Sequence, residues 1–425
     1  MGTLVLYLVI FAIFFLIGVP IVLSLSVSAI ILLFVSNVDL LVFTQQFFKS
    51  MDSYTLTAIF FFVLAGEIMN SGGMTRRIVA AVSKRLRNIP GGLAIVAGIS
   101  AAIFAAINGS AIATAVAIGA IMIPAMEKEH YDSAFSGAVV AAGGVVGPII
   151  PVILYGSITG ASIPKLFMGG LLLGILITAG HLLISYRTGK KRGYYVKKGE
   201  EQNAIAVKDE ESKGVIWALL LPVFIMVTVS FGIFTATESA AFAVVYAFLI
   251  SKFVYKEFDM KGIFTLFRKS MKSTGSVMAI VGSATAVAWV LSYNRVPQLV
   301  ADTLLKVADT KMVFMLIVFI LLVIVGMIMD LTPAILILAP IFTAPVQMYG
   351  IDPVYFGVIF LAILTTGLIT PPVGTLIYTS CSMTKKGFSA VSKQLMPYML
   401  ITFAIILLAV FFPQIITFIP NIIYQ

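Results

Sequence analysis

GMIMDLTPAILILAP, residues 326–340, sets one carboxylate, Asp330, and the tripeptide Leu331-Thr332-Pro333 between two apolar runs. An ionised carboxylate at membrane depth costs about 2.5–3.5 kcal/mol on insertion scales, so Asp330 requires a cation, a partner or a wet cavity. Asp330 and Thr332 are oxygen donors, and Pro333 has no N–H to give and cannot continue a helix through its own ring. The run therefore predicts a helix end, a tight tip and a second helix beginning at Pro333, a first-turn position that suits proline. Irregular backbone in a bilayer survives only where protein buries it or water reaches it.

The same device occurs earlier. Asn108-Gly109-Ser110 interrupts the apolar stretch 91–126, and these residue types favour helix caps over helix interiors. Each tip has a second element at nearly the same distance: Asn108 to Pro148 is 40 residues, ending on GPIIPVILYG, and Asp330 to Pro371 is 41, ending on TPPVGTLIYTS. In both, six residues separate the proline from a tyrosine, Tyr155 or Tyr378. This is an internal repeat of a polar tip followed by an interrupted helix.

Composition sets the medium. The chain is 60% hydrophobic and 11% charged, with a mean hydropathy of +1.09, where soluble domains carry about 25% charged residues. It reads as an all-α polytopic membrane protein. The net charge of +10 resides in short segments between apolar runs, which argues for membrane orientation over nucleic-acid binding. One cysteine, Cys381, excludes a disulfide frame, and two histidines, His130 and His181, are too few for a zinc or iron cluster. There is no Walker A loop and no GxGxxG, so ATP is not the expected energy source. The opening MGTLVLYL lacks a basic region and a small-residue cleavage signal and reads as a transmembrane helix.

Taken in order, residues 1–186 form a first half: scaffold helices over 1–90, a hairpin and broken helix over 91–160, and a return helix over 166–186. Residues 187–213, with eight basic and five acidic side chains, read as a cytoplasmic linker. Residues 214–425 repeat the plan, with scaffold helices and an arm over 214–311, a hairpin and broken helix over 312–384, and a last helix over 395–412. On this plan 23 of the 28 Lys and Arg residues fall on one side, which the positive-inside rule makes cytoplasmic. Both termini are then periplasmic, and the halves are inverted repeats with one re-entrant hairpin entering from each face.

Inverted repeats with paired discontinuous helices place a site near the bilayer midplane and permit alternating access around it. The oxygen-rich tips and freed carbonyls suit a hard cation such as sodium. Freed helix N-termini suit a substrate carboxylate. The competing reading of ordinary proline kinks is weakened by the matched pairing of tip and break.

NGSAIATAVAIGAIMIPAM, GPIIPVILYG, TATESAAFAVVYA, GMIMDLTPAILILAPI, TPPVGTLIY and FFVLAGEIMNSGG resemble the large membrane subunit of tripartite ATP-independent periplasmic (TRAP) transporters, in the DctM-like family, nearly throughout the chain. The resemblance implies an inner-membrane, elevator-type secondary transporter coupled to Na+. It also implies a small four-helix membrane subunit and a periplasmic substrate-binding protein as partners, with sialic acid or a C4-dicarboxylate as the organic anion. It further implies one sodium site from Asn108, Ser110, Gly147 and Ile150 and a second from Asp330, Thr332, Gly367 and Thr370. Gly109, Pro148, Pro151, Thr237, Glu238, Arg295, Pro371, Gly374 and Thr375 are the substrate-side candidates. Two positions depart from the family pattern: Val152, where a second proline is common, and Leu376, where an asparagine is common.

Several residues carry simpler expectations. Glu238 reads as a helix cap or a docking contact, Glu67 as the partner of Arg76 or Arg77, and His181 as a hydrogen-bonded core residue. Arg295 reads as a carboxylate partner or an interfacial side chain. Two other function classes remain in view: a channel or non-transporting assembly subunit, and an intramembrane hydrolase pairing Ser110 with His181.

Overall fold

The computed structural model describes residues 2–147, 149–195, 214–259 and 262–424. Among these residues every regular element is helical. The first half holds α1 (Gly2–Leu16), α2 (Ile21–Val35), α3 (Leu41–Met51), α4 (Tyr54–Ser71), α5 (Met74–Leu86), α6 (Gly92–Asn108), α7 (Ala111–Lys128), α8 (Ser133–Gly144), α9 (Ile149–Thr159) and α10 (Ile163–Arg192). The second half holds α11 (Val215–Ser230), α12 (Ala236–Leu249), a π-helical turn (Ile250–Val254), α13 (Ile263–Tyr293), α14 (Val296–Val307) and α15 (Lys311–Ile328). It continues with α16 (Leu331–Met348), α17 (Pro353–Gly367), α18 (Thr375–Thr384), α19 (Phe388–Phe411) and α20 (Gln414–Ile423). Among the described residues eight helices are long and apolar enough to cross a membrane, so the chain is a multi-pass integral membrane protein.

The element order repeats. A long helix, an amphipathic helix, a hairpin, an interrupted helix and a second long helix run as α4 to α10 and again as α13 to α19. The interrupted helices start alike: Asp132 Oδ1 accepts the Phe135 N–H at 2.8 Å, and Asp352 Oδ1 accepts the Tyr355 N–H at 2.7 Å. A carboxylate there satisfies an orphan donor and faces the positive end of the helix dipole. The long helices α10 and α19 pack together through two buried polar pairs, His181 Nε2 with Thr402 Oγ1 at 2.8 Å and Ser185 Oγ with Tyr398 OH at 2.9 Å. His181 is thus the hydrogen-bonded core residue expected of it.

Helix reaches into the polar stretches of the chain. The polar stretch 37–53 contains α3, and the basic residues from Arg76 to Arg85 lie in α5, whose apolar face buries Met74, Ile78 and Val79 while Arg76, Lys84 and Arg85 face outward. Helical periodicity in so short a stretch is masked by its charge. Helix α10 runs through Arg192, six residues into the stretch read as linker, because charged residues are good helix formers when nothing breaks the pattern. The π-helical turn and α13 together occupy most of the basic stretch 252–272.

The ion pairs also need correction. Glu67 on α4 pairs with Lys269 on α13 at 2.8 Å, and not with Arg76 or Arg77. Those arginines instead share Glu257: Arg76 through one oxygen, and Arg77 through the other at 2.6 Å with its guanidinium 3.8 Å above the Tyr255 ring. The cause is topological. Segments 181 to 202 residues apart in sequence lie side by side, so the nearest opposite charge belongs to the other half.

Candidate functional site

The first tip is built by two helix ends meeting. Gly109, at φ +67°, terminates α6 and accepts no side chain, because a Cβ there would lie 2.6 Å from Ile150 Cγ1 and 3.0 Å from the Ile150 nitrogen. Ser110 starts α7, its Oγ accepting the Ala113 N–H at 3.3 Å. The tip docks on the interruption between α8 and α9: a Cβ on Gly144 would lie 2.8 Å from the Ala111 carbonyl oxygen. Beyond Gly144 the chain unwinds through Val145 and Val146 to Gly147, which is exposed at φ +65° with open space around it. Asn108 contributes backbone to this tip; its side chain and Pro148 lie outside the described residues. Pro151 is buried in the first turn of α9, where a missing N–H costs nothing.

The second tip repeats the frame with different chemistry. Helix α16 begins at Leu331, two residues before the expected start, with Asp330 as its cap, so Pro333 falls in the first turn. Asp330 Oδ1 accepts the Leu331 N–H at 2.9 Å, and no cation among the described residues pairs with the carboxylate. Thr332 is half-buried, and its hydroxyl makes no hydrogen bond among the described residues. The docking is tighter than at the first tip. Gly326 on α15 and Gly367 at the end of α17 touch backbone to backbone, leaving no room for a Cβ on Gly367. The Val373 N–H donates to the Met327 carbonyl at 3.3 Å, and the Leu376 N–H to Leu368 at 3.0 Å.

Of the sequence candidates around this break, Gly367 and Thr370 are hydrogen-bonded. The Gly367 carbonyl accepts the Thr370 N–H at 2.9 Å, and Thr370 Oγ1 donates to the Thr366 carbonyl at 2.8 Å. A carbonyl oxygen and a hydroxyl oxygen each retain acceptor capacity after one such bond, so both still fit a hard cation. Pro371 is half-buried, Gly374 starts α18 at φ +54°, and Thr375 Oγ1 is buried without a partner among the described residues. Leu376 is fully buried. The break divides the interrupted helix into segments of 15 and 10 residues, about 22 and 15 Å long at 1.5 Å per residue.

The two units interlock. Helix α16 packs on α9, and α18 packs on α7 and α8, so each hairpin's inner arm meets the other half's interrupted helix. Two further hydroxyls, Thr114 on α7 and Ser380 on α18, are fully buried in this region with no partner among the described residues. They were not singled out in the sequence, although the hydroxyl-rich run YTSCSMT, residues 378–384, carried the signal.

Other candidates lie elsewhere. Thr237 Oγ1 donates to the Tyr54 carbonyl at 2.9 Å, and Glu238 closes a reciprocal capping box with Thr235, so both serve the start of α12, which packs on α4 and α11. Arg295, left-handed at φ +54° and exposed, starts α14 with no partner among the described residues. Ser110 Oγ caps α7 and His181 pairs with Thr402, so these two are not paired with each other as a nucleophile and base would be. Among the described residues no three His, Cys, Asp or Glu side chains cluster, so any cation here is held by carbonyls, hydroxyls and the one carboxylate.

Paired hairpins docked on interrupted helices inside a polytopic α-helical bundle define a membrane carrier frame. Residues 8–415 match the tripartite ATP-independent periplasmic transporter, DctM component, and the chain belongs to that family. A 2,3-diketo-L-gulonate TRAP transporter large permease of Escherichia coli (strain K12) is 35% identical over 405 residues, covering 94% of this chain and 95% of that one. A sialic acid TRAP transporter large permease of Vibrio cholerae is 30% identical over 412 residues, covering 95% of each. The crystal structure of the Alcanivorax borkumensis YdaH transporter shares the fold, with a TM-score of 0.63 at 15% identity over 87% of this chain and 86% of that one. The chain is therefore a TRAP transport subunit and not an enzyme.

Proposed function

We propose that this subunit imports a small carboxylate-bearing organic anion by sodium symport across the bacterial inner membrane, receiving it from a periplasmic binding protein and working beside a small membrane subunit. The observation that carries the sodium reading is Asp330: a carboxylate at membrane depth, capping α16, with no cationic side chain against it. Thr332, the Gly367 carbonyl and Thr370 supply further oxygens for that ion, and Ser110, the Asn108 and Gly147 backbone and Ile150 frame a second site at the neutral tip.

The anion itself meets the helix starts of α7, α9, α16 and α18, whose positive dipole ends suit a carboxylate. Thr375, with its unpartnered hydroxyl, is the side chain best suited to orient it. The substrate is a sialic acid or a C4-dicarboxylate; the hydroxyl-rich, weakly charged lining favours the former. Movement is of the elevator type, the two hairpins and interrupted helices shifting as a body against the scaffold helices. The positive-inside asymmetry puts both termini in the periplasm.

The test is uptake in proteoliposomes holding both membrane subunits, with loaded binding protein outside and an inward sodium gradient. The Asp330→Asn variant is expected to lose sodium-driven uptake by roughly 10–100-fold or more, since changing even an outer-shell partner of a metal costs that much. Wild-type uptake by that variant eliminates the cation role.

A further inference from the structure

A groove of 520 Å³ runs between α6, α10 and α11, and at one end Ala106, Val146, Gly147 and Val152 bring it beside the first tip and interruption. Its floor is α10 from Leu166 to Leu182, about 24 Å at 1.5 Å per residue. Gly170 and Gly174 make it: a Cβ on Gly170 meets nothing within 4 Å, and one on Gly174 only Val146 at 3.8 Å. The single polar side chain along it, Thr178, spends its hydroxyl on the Gly174 carbonyl at 2.8 Å. Water needs two to four polar partners to be held, and the side chains here offer none. Its occupant in the bilayer is apolar.

Size selects among apolar occupants. A transmembrane helix about 10 Å across and as long as the groove displaces roughly 2,000 Å³, so it would seat only part of its surface here. A methylene takes up about as much room as a water molecule in the liquid, roughly 30 Å³, so the groove holds on the order of seventeen. That is one acyl chain. Lipid tails are as apolar as leucine, so an acyl chain gains little from leaving the bulk bilayer, and selectivity must come from its headgroup. One to three turns beyond Leu182, α10 carries Arg187, Lys190 and Lys191, all exposed, and such clusters at a helix end attract anionic headgroups.

We infer that this groove is a binding site for a single anionic phospholipid, its acyl chain lying along the glycine floor of α10 and its headgroup on Arg187, Lys190 and Lys191.

The full chain, purified with its membrane subunit and placed in nanodiscs containing phosphatidylglycerol with a photoactivatable group mid-chain, provides the test. Cross-links mapped by mass spectrometry are expected on the peptides covering 99–106 and 166–182. Gly170→Leu, which fills the floor with a better helix former and so preserves folding, lowers that yield about five-fold or more. The double variant Lys190→Glu with Lys191→Glu lowers it for phosphatidylglycerol and leaves a phosphatidylcholine probe unchanged. Equal labelling of all lipid-facing helices, insensitivity to Gly170→Leu, or cross-linking of these peptides to the small subunit in place of lipid overturns the assignment.

Discussion

Ser110 and Asp330 hold matching places: each caps the inner arm of a hairpin, and each hairpin docks on an interrupted helix of its own half. They differ in charge and in the firmness of what lies behind them. Behind Asp330 the break is sealed by a glycine-to-glycine backbone contact and by hydrogen bonds from Val373 and Leu376. Behind Ser110 the chain leaves α8 through two weak bonds, Val145 to Ala142 at 3.4 Å and Val146 to Gly143 at 3.5 Å, and then reaches an exposed, open Gly147. The contrast has a physical logic. An ionised group in a low-dielectric site must have its surroundings fixed in advance, whereas a neutral hydroxyl tolerates a looser frame.

The largest expected difference between the halves is functional. Asp330→Asn is expected to lower the proposed sodium-driven uptake by roughly 10–100-fold or more, while Ser110→Ala, which removes a neutral oxygen and leaves the backbone donors in place, is expected to lower it only a few-fold; flux assays on the two variants side by side measure the gap. If both lose activity equally, the tips are chemically equivalent and the contrast fails.

The next difference is in rigidity. Gly367→Ala pushes a methyl into the Gly326 backbone and is expected to cost about 1–3 kcal/mol as overpacking. Gly147→Ala has open space around it and pays only for its left-handed backbone, about 1 kcal/mol. Thermal unfolding of the purified variants should rank the alanine at 367 below the one at 147. Loss of the Ser110 cap in Ser110→Ala should cost about 1 kcal/mol by the same measurement.

The smallest effect is expected outside both units. Glu67→Gln breaks the pair with Lys269, whose side chain is 66% exposed, and should lower stability by less than about 1 kcal/mol. Glu257→Gln, which releases Arg76 and Arg77 together, should cost more than Glu67→Gln in the same denaturation assay.

Much of this arrangement is legible in the sequence. Asn108-Gly109-Ser110 and Asp330-Leu331-Thr332-Pro333 announce the tips because polar residues, glycine and proline have few other uses inside apolar runs, and the 40- and 41-residue offsets announce the breaks. What was not legible depends on distance in three dimensions. Glu67 was assigned to arginines a few residues away, when the fold carries α13 and Lys269 to it. Helix α5 hid behind its basic residues, its apolar face too short for periodicity to stand out. Thr114 and Ser380 look like ordinary helix residues until the crossing of α7 with α18 buries both without partners. Thr237 and Glu238 looked like substrate contacts because polar residues near a helix start serve as caps or as ligands, and only the partner atoms distinguish the two uses.

The central claim is that Asp330 holds a sodium ion at the second tip. Thermal unfolding of purified wild-type protein and of Asp330→Asn, each in NaCl and in equimolar choline chloride, tests it without any transported substrate. Sodium should raise the wild-type melting temperature well above that in choline and raise that of the variant much less. Equal stabilisation of both proteins by sodium would contradict the account.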